Sequence, residues 1–194
     1  MIRPLAILLT FVLTTLLALT ARAEPVTYTF DPSHTYIGIS WNHLGFSTQR
    51  ARFGEFSGTL VLDEEDPANS SVSVSIRIDS LDTGVDRLDE ELMGPDFFDA
   101  ETYPVADFES ERVELAGENT AVIHGALTLK GQSHPLTLDV MLNQIGANPI
   151  NNRRTAGFEA TSVIDRMEYG IDKYVPAVSA EIGLDISAEA AVAE

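Results

Sequence analysis

Apolar and polar residues alternate at every second position through most of this chain. That period belongs to β-strands with one buried face, and it excludes a mainly helical fold. The run Val72-Ser73-Val74-Ser75-Ile76-Arg77-Ile78 is the clearest case, and Leu136-Thr137-Leu138-Asp139-Val140 repeats it. From Val178 to Ile186 the apolar positions 178, 180, 182, 184 and 186 alternate with Ser179, Glu181, Gly183 and Asp185. Further strands are predicted over Val26–Phe30, Thr35–His43, Glu55–Leu62, Ala106–Glu114, Ala121–Leu129 and Gly157–Ile164. Turn chemistry separates several of them, at Asp66-Pro67, Gly117-Glu118-Asn119, Gly131-Gln132-Ser133 and Asn148-Pro149. One segment breaks the period. From Asp86 to Met93, Leu88 and Leu92 stand four apart, with Asp86 placed to cap the start and Gly94-Pro95 to stop a short helix. The expectation is all-β: an antiparallel sheet that closes into a barrel or folds into a two-sheet sandwich, with a helical insertion near residues 86–99.

The N-terminus sets a compartment. Arg3 precedes an apolar run from Leu5 to Leu19, and Ala21-Arg22-Ala23 forms the small-x-small pattern of a cleavage site. The run is short for a bilayer span, which needs about 20 residues. We therefore read residues 1–23 as a cleaved signal peptide and 24–194 as one exported domain. The chain has no cysteine, which removes disulfides, thiolate catalysis and Cys-based zinc sites together. Without Arg3 and Arg22, 10 basic residues face 30 acidic ones. Such a surface repels nucleic acid and anionic membranes.

Catalytic and metal-binding patterns are absent from the sequence. His34 and His43 flank one predicted strand, but an odd offset puts them on opposite faces, about 30 Å apart if the strand is straight. His124 falls mid-strand and His134 precedes Pro135. No HxH, HExxH, G-x-S-x-G or phosphate-binding glycine loop occurs. We expect no enzyme, no metal and no cofactor. Aromatic residues cluster near strand ends and in the helix–turn segment, where they either fill a core or line a cavity. An eight-stranded barrel is wide enough for either outcome.

Several segments, in order, resemble the YceI-like family of exported lipocalin-like proteins. They begin with Phe30-Asp31-Pro32-Ser33-His34, Trp41-Asn42-His43-Leu44-Gly45-Phe46-Ser47 and Gly54-Glu55-Phe56-Ser57-Gly58. Asp96-Phe97-Phe98-Asp99, Tyr103-Pro104, Phe108-Glu109-Ser110 and the stretch from Gly125 to Gly131 follow. Arg166-Met167-Glu168-Tyr169-Gly170 closes the series. One departure is Glu91, an acid where many members carry a histidine. The resemblance implies an eight-stranded antiparallel lipocalin-like barrel whose apolar interior holds a polyisoprenoid, an isoprenoid quinone or a fatty-acid amide in the periplasm. It implies a tunnel lined by Trp41, Phe46, Phe53, Phe56, Phe97, Phe98, Phe108 and Phe158, with Ile37, Ile39, Leu127 and Leu129 in a secondary place. His43, Arg52 and Arg166 are the candidates for its polar end. Homodimerisation is compatible with the family. The competing reading is a self-packed β-sandwich acting as an interaction or adhesion module.

Overall fold

The structure, a computed structural model, describes residues 24–193; the expected signal peptide lies outside them. Its strands are β1 (Val26–Phe30), β2 (Tyr36–His43), β3 (Ser47–Phe53), β4 (Phe56–Leu62), β5 (Ser71–Arg77) and β6 (Leu81–Asp82). After helix α1 (Asp86–Met93) come β7 (Val105–Leu115), β8 (Thr120–Leu129), β9 (Gln132–Ala147), β10 (Arg154–Asp165) and β11 (Glu181–Val192). All pairings between these strands are antiparallel.

Eleven segments make eight staves, because three of the staves are bent. β2 and β1 lie end to end along one flank of β11, with Ile37 opposite Ile186 and Phe30 opposite Ala190. Their return stave is β3 followed by β4, which pair with β2 and β1 respectively. The third stave is β5 followed by β6, laid against β4 and β3. β7 to β11 then follow as neighbours in chain order, and β11 meets the first stave to close the barrel. Closure leaves no second sheet to pack against, so the sandwich alternative does not describe this chain. The bend between β1 and β2 is held by Asp31, whose carboxylate accepts from the Ser33 amide and meets His34 Nδ1, each at 2.8 Å.

One end of the barrel is packed solid. Small residues, Ala156 on β10 opposite Ala190 on β11, leave room for the fully buried Tyr28 ring beside Leu60 and Leu62. Tyr28 Oη donates to Glu64 Oε1 at 2.8 Å, and Glu64 is in turn held by Arg154, whose Nε donates at 2.6 Å. The opposite end carries the long connections: α1 with the turn after it, and the segment 166–180.

The differences from expectation have local causes. β3 was not anticipated, because in Ser-Thr-Gln-Arg-Ala-Arg-Phe only Ala51 and Phe53 are buried apolar residues. The last strand starts later and ends later than the alternation suggested. Val178 makes only an isolated bridge to His43, while the alanine-rich stretch 187–192, of helix-favouring composition, is held as strand by pairing on both sides. β9 runs far beyond Leu136–Val140 because its backbone stays paired, with β8 from Gln132 to Met141 and with β10 from Asp139 to Ala147. At α1 the N-cap is Val85, not Asp86. Asp89 reaches back instead, accepting from Thr83 N at 2.8 Å and Thr83 Oγ1 at 2.6 Å, while Asp86 sits in the first turn, where a carboxylate suits the helix dipole.

The Tyr28 plug gives a pH-dependent prediction. Burial, reinforced by the Glu64 carboxylate, pushes the Tyr28 phenol from 10.0 up to about 12. Its folded form holds a proton that the unfolded chain gives up. The stability it contributes is therefore complete below pH 10 and lost as pH rises towards 12. Tyr28→Phe should lower unfolding free energy by about 1 kcal/mol at neutral pH and flatten the decline between pH 10 and 12, as read from urea midpoints.

Candidate functional site: an apolar cavity in the barrel

The inward-facing positions of the strands surround a cavity of about 260 Å³. Apolar cavities of about 150 Å³ are already large enough to stay dry and admit a benzene-sized guest. The first two staves contribute Ile37, Ile39, Trp41, Phe53 and Phe56 to its wall. Phe108 on β7 faces them with Leu127 and Leu129 of β8. Gly125 permits that position, because a Cβ there would lie 2.7 Å from Phe108 Cζ and 2.3 Å from the Glu109 carbonyl oxygen. Phe158 and Phe30 form the floor, lining the cavity on one side and packing on the Tyr28 cluster on the other.

The other end is roofed by two connections. Leu88 and Leu92 of α1 pack onto the core, Phe97 is buried, and Phe98 stands edge-on to Phe53 with ring centroids 6.1 Å apart. The segment after β10 adds Tyr169, Ile171 and Val178. The two parts of the roof are tied by Lys173, whose Nζ donates to Asp96 Oδ2 at 2.7 Å and lies 5.5 Å from the centre of the Phe97 ring. That bond holds the Asp96 carboxyl below its usual range. Lys130, the only other lysine, donates to the Pro95 carbonyl at 2.9 Å. Both lysines of the chain thus pin the turn that carries the paired phenylalanines.

Of the residues expected at the site, Trp41, Phe53, Phe56, Phe97, Phe98, Phe108, Phe158 and Arg166 line this cavity. Three do not. Phe46 is 88% exposed. Leu44 and Gly45 form a tight hairpin turn with positive φ at both, and Phe46 follows on the outward face of the stave. Arg52 lies one position from the inward Ala51 and Phe53, so it points out and pairs with Asp82 at 3.0 Å. His43 has inward parity with Ile39 and Trp41, but it stands beyond the rim and is exposed. Ile37, Ile39, Leu127 and Leu129, placed second by the sequence, lie in the wall itself.

Arg166 is buried and its donors are largely taken. Nε donates to the Ser179 carbonyl, Nη1 to Ile171, and Nη2 to Lys173 and Val178, at 2.8 to 3.2 Å. It organises the roof through backbone carbonyls, where the sequence suggested either a headgroup or a carboxylate. Burial lowers its pKa from the ordinary guanidinium value, opposed by Asp172 and Asp165. Tyr169 and Ile171 escaped the sequence reading of the site because residues 166–177 have no alternation to mark an inward face, whereas Val178 was read as the first apolar position of the last strand. The Arg166-to-Gly170 element was the only signal there. The four histidines stay apart, and among the described residues no group of three or more His, Cys, Asp or Glu is placed to hold a metal ion. Among the same residues, no helix is long and apolar enough to cross a membrane.

The YceI-like domain matches this chain over residues 28–190. The chain belongs to the YceI-like family. Protein YceI of Salmonella arizonae is 34% identical over 184 residues, covering 94% of this chain and 95% of that one. Among solved structures, BcnA of Burkholderia cenocepacia matches this YceI-like barrel with a TM-score of 0.75 and 26% identity, over 82% of this chain and 98% of its own. A polyisoprenoid-binding domain from Saccharophagus degradans, implicated in plant cell wall breakdown, matches with a TM-score of 0.62. It covers 87% of this chain and 99% of its own, and its 15% identity makes the likeness one of fold.

The arginine clamp of this YceI-like protein can be tested directly. Arg166→Met should lower stability by about 3 kcal/mol or more, since it strands several buried carbonyls. Arg166→Lys should recover little of it, because one ammonium cannot reach all of them. Chemical denaturation of the three proteins measures both effects.

Proposed function

We propose that this protein binds an apolar or amphiphilic lipid inside the barrel and carries or sequesters it in the periplasm. The single observation behind the reading is the cavity, walled by strands and partly roofed, whose lining is almost wholly aliphatic and aromatic. Each methylene transferred into such a lining contributes about 0.8 kcal/mol. Five of them yield about 4 kcal/mol, or roughly three decades of affinity. Tight binding therefore needs no charged contact, and chains of similar length are poorly discriminated. Polyisoprenoids, isoprenoid quinones and fatty-acid amides all meet that description. Family membership supports it, as does the polyisoprenoid-binding domain that shares the fold. The pattern of a positive residue, an apolar run and Ala21-Arg22-Ala23 within residues 1–23 supports the compartment. The ligand residues we assign are Trp41, Phe53, Phe56, Phe97, Phe98, Phe108 and Phe158. A binding role suits a lining whose residues are almost all aliphatic or aromatic.

The paired phenylalanines give the test. Phe97→Ala with Phe98→Ala should weaken retention of a fluorescent isoprenoid probe at least tenfold, while the β-sheet circular dichroism is unchanged. Unaltered retention in a folded double variant would remove both residues from the site.

A further inference from the structure

Four side chains that line the cavity carry polar atoms: Thr35, Trp41, Arg166 and Tyr169. Thr35 Oγ1 already exchanges long hydrogen bonds with the backbone of Glu189, at 3.3 and 3.4 Å. Arg166 is engaged by four carbonyls. Tyr169 differs. Its exposure is 0%, and its hydroxyl is buried with no hydrogen-bond partner. Its ring stands edge-on to His134, centroids 5.0 Å apart, an arrangement that leaves the hydroxyl unengaged. An orphaned buried hydroxyl costs about as much as the hydrogen bond it lacks, roughly 1–3 kcal/mol. A protein that only needed a ring at this position would do better with phenylalanine.

The position of Tyr169 narrows what could satisfy it. Arg166 and Tyr169 are the first and last residues of a single 3-10 turn, and both are buried. Residues three apart eclipse one another in such a turn, so the two side chains leave it on the same side. Burial and the neighbouring Glu168 carboxylate raise the Tyr169 phenol above its ordinary pKa, so the hydroxyl keeps its proton and, as a donor, is satisfied only by an acceptor. A neutral hydrogen-bond acceptor suits it. A second cation does not, and a hydrocarbon leaves the hydroxyl unpaired. A full anion would need donors that the carbonyls already occupy.

We propose that Tyr169 is the polar anchor of the cavity, its hydroxyl donating to a neutral oxygen acceptor on the ligand: a ketone, quinone or amide carbonyl. The inference rests on the lipid-binding reading and makes it more specific. The ligand then lies with its oxygen under the 166–178 roof and its hydrocarbon running towards the Phe30 and Phe158 floor. Tyr169 joins the ligand contacts on this view, as a residue that selects oxygenated isoprenoids over plain ones.

The test compares wild type and Tyr169→Phe with two probes, geranylgeranylacetone and the matching isoprenoid hydrocarbon without its carbonyl. Trp41 is the only tryptophan and lines the cavity, so its fluorescence reports occupancy in the intact protein. The expected result is about a tenfold loss of ketone affinity in Tyr169→Phe, the loss of one hydrogen bond of about 1.4 kcal/mol. Hydrocarbon affinity should stay within about twofold, and the melting temperature of the empty variant should equal or exceed that of wild type. Equal losses for both probes would mean that the ring matters and the hydroxyl does not, overturning the inference. So would no loss for either, or a marked fall in the melting temperature of the empty variant. Failure of wild type to bind either probe would instead bring down the lipid-binding reading itself, and the anchor with it.

Discussion

Closure of β11 against the first stave is the constraint on which everything else depends. β11 is paired on both flanks, to β10 along one and to β2 then β1 along the other. A closed antiparallel sheet has no free edge, and every inward position is removed from bulk water at once. Eight staves enclose more room than these side chains fill. The surplus is eliminated at one end and kept at the other. Where Ala156 and Ala190 face each other, a single tyrosine plugs the barrel. Beyond that plug the alternation supplies isoleucine, leucine, valine and phenylalanine that reach inward without meeting, and the cavity is what they leave.

The roof follows from a second constraint. A hollow interior loses packing energy that a solid core would have, so its ends must be covered by groups with their own reasons to stay. Here the reasons are polar and peripheral. Arg166 gathers the carbonyls of one connection, and Lys173 and Lys130 hold the turn of the other. Surface ion pairs such as Lys173 with Asp96 contribute little stability apiece. They place the roof without locking it, which is compatible with a guest that has to enter and leave. Outside, the net charge of −18 keeps a protein with an apolar interior soluble and well away from anionic surfaces.

Most of the architecture was legible in the sequence because it rests on period two. Val72 to Ile78, Leu136 to Val140 and Val178 to Ile186 announce one-faced strands, and α1 announces itself by the spacing of Leu88 and Leu92. What escaped had no period to display. β3 is polar along most of its length, and the alanines after Ile186 are held extended only by their neighbours. The candidate site divides along the same line. Phe56, Phe108 and Phe158 sit on strands whose parity predicts their side, while Phe53 lies at the end of the unpredicted β3. Phe46 carries the same chemistry, but a turn sends it outward, and Arg52 is one position out of phase with the interior. Tyr169 could be weighed only once the fold had buried its hydroxyl, because nothing in the sequence distinguishes a satisfied phenol from an orphaned one.

The central claim is that the interior is a ligand site and not an accidental void. Native mass spectrometry of the protein, expressed from the full sequence and purified without organic solvent, tests it most directly. The account predicts a one-to-one non-covalent adduct of lipid mass that disappears on organic extraction and returns when an isoprenoid is supplied. A bare protein mass, both as isolated and after incubation with isoprenoids, would contradict it.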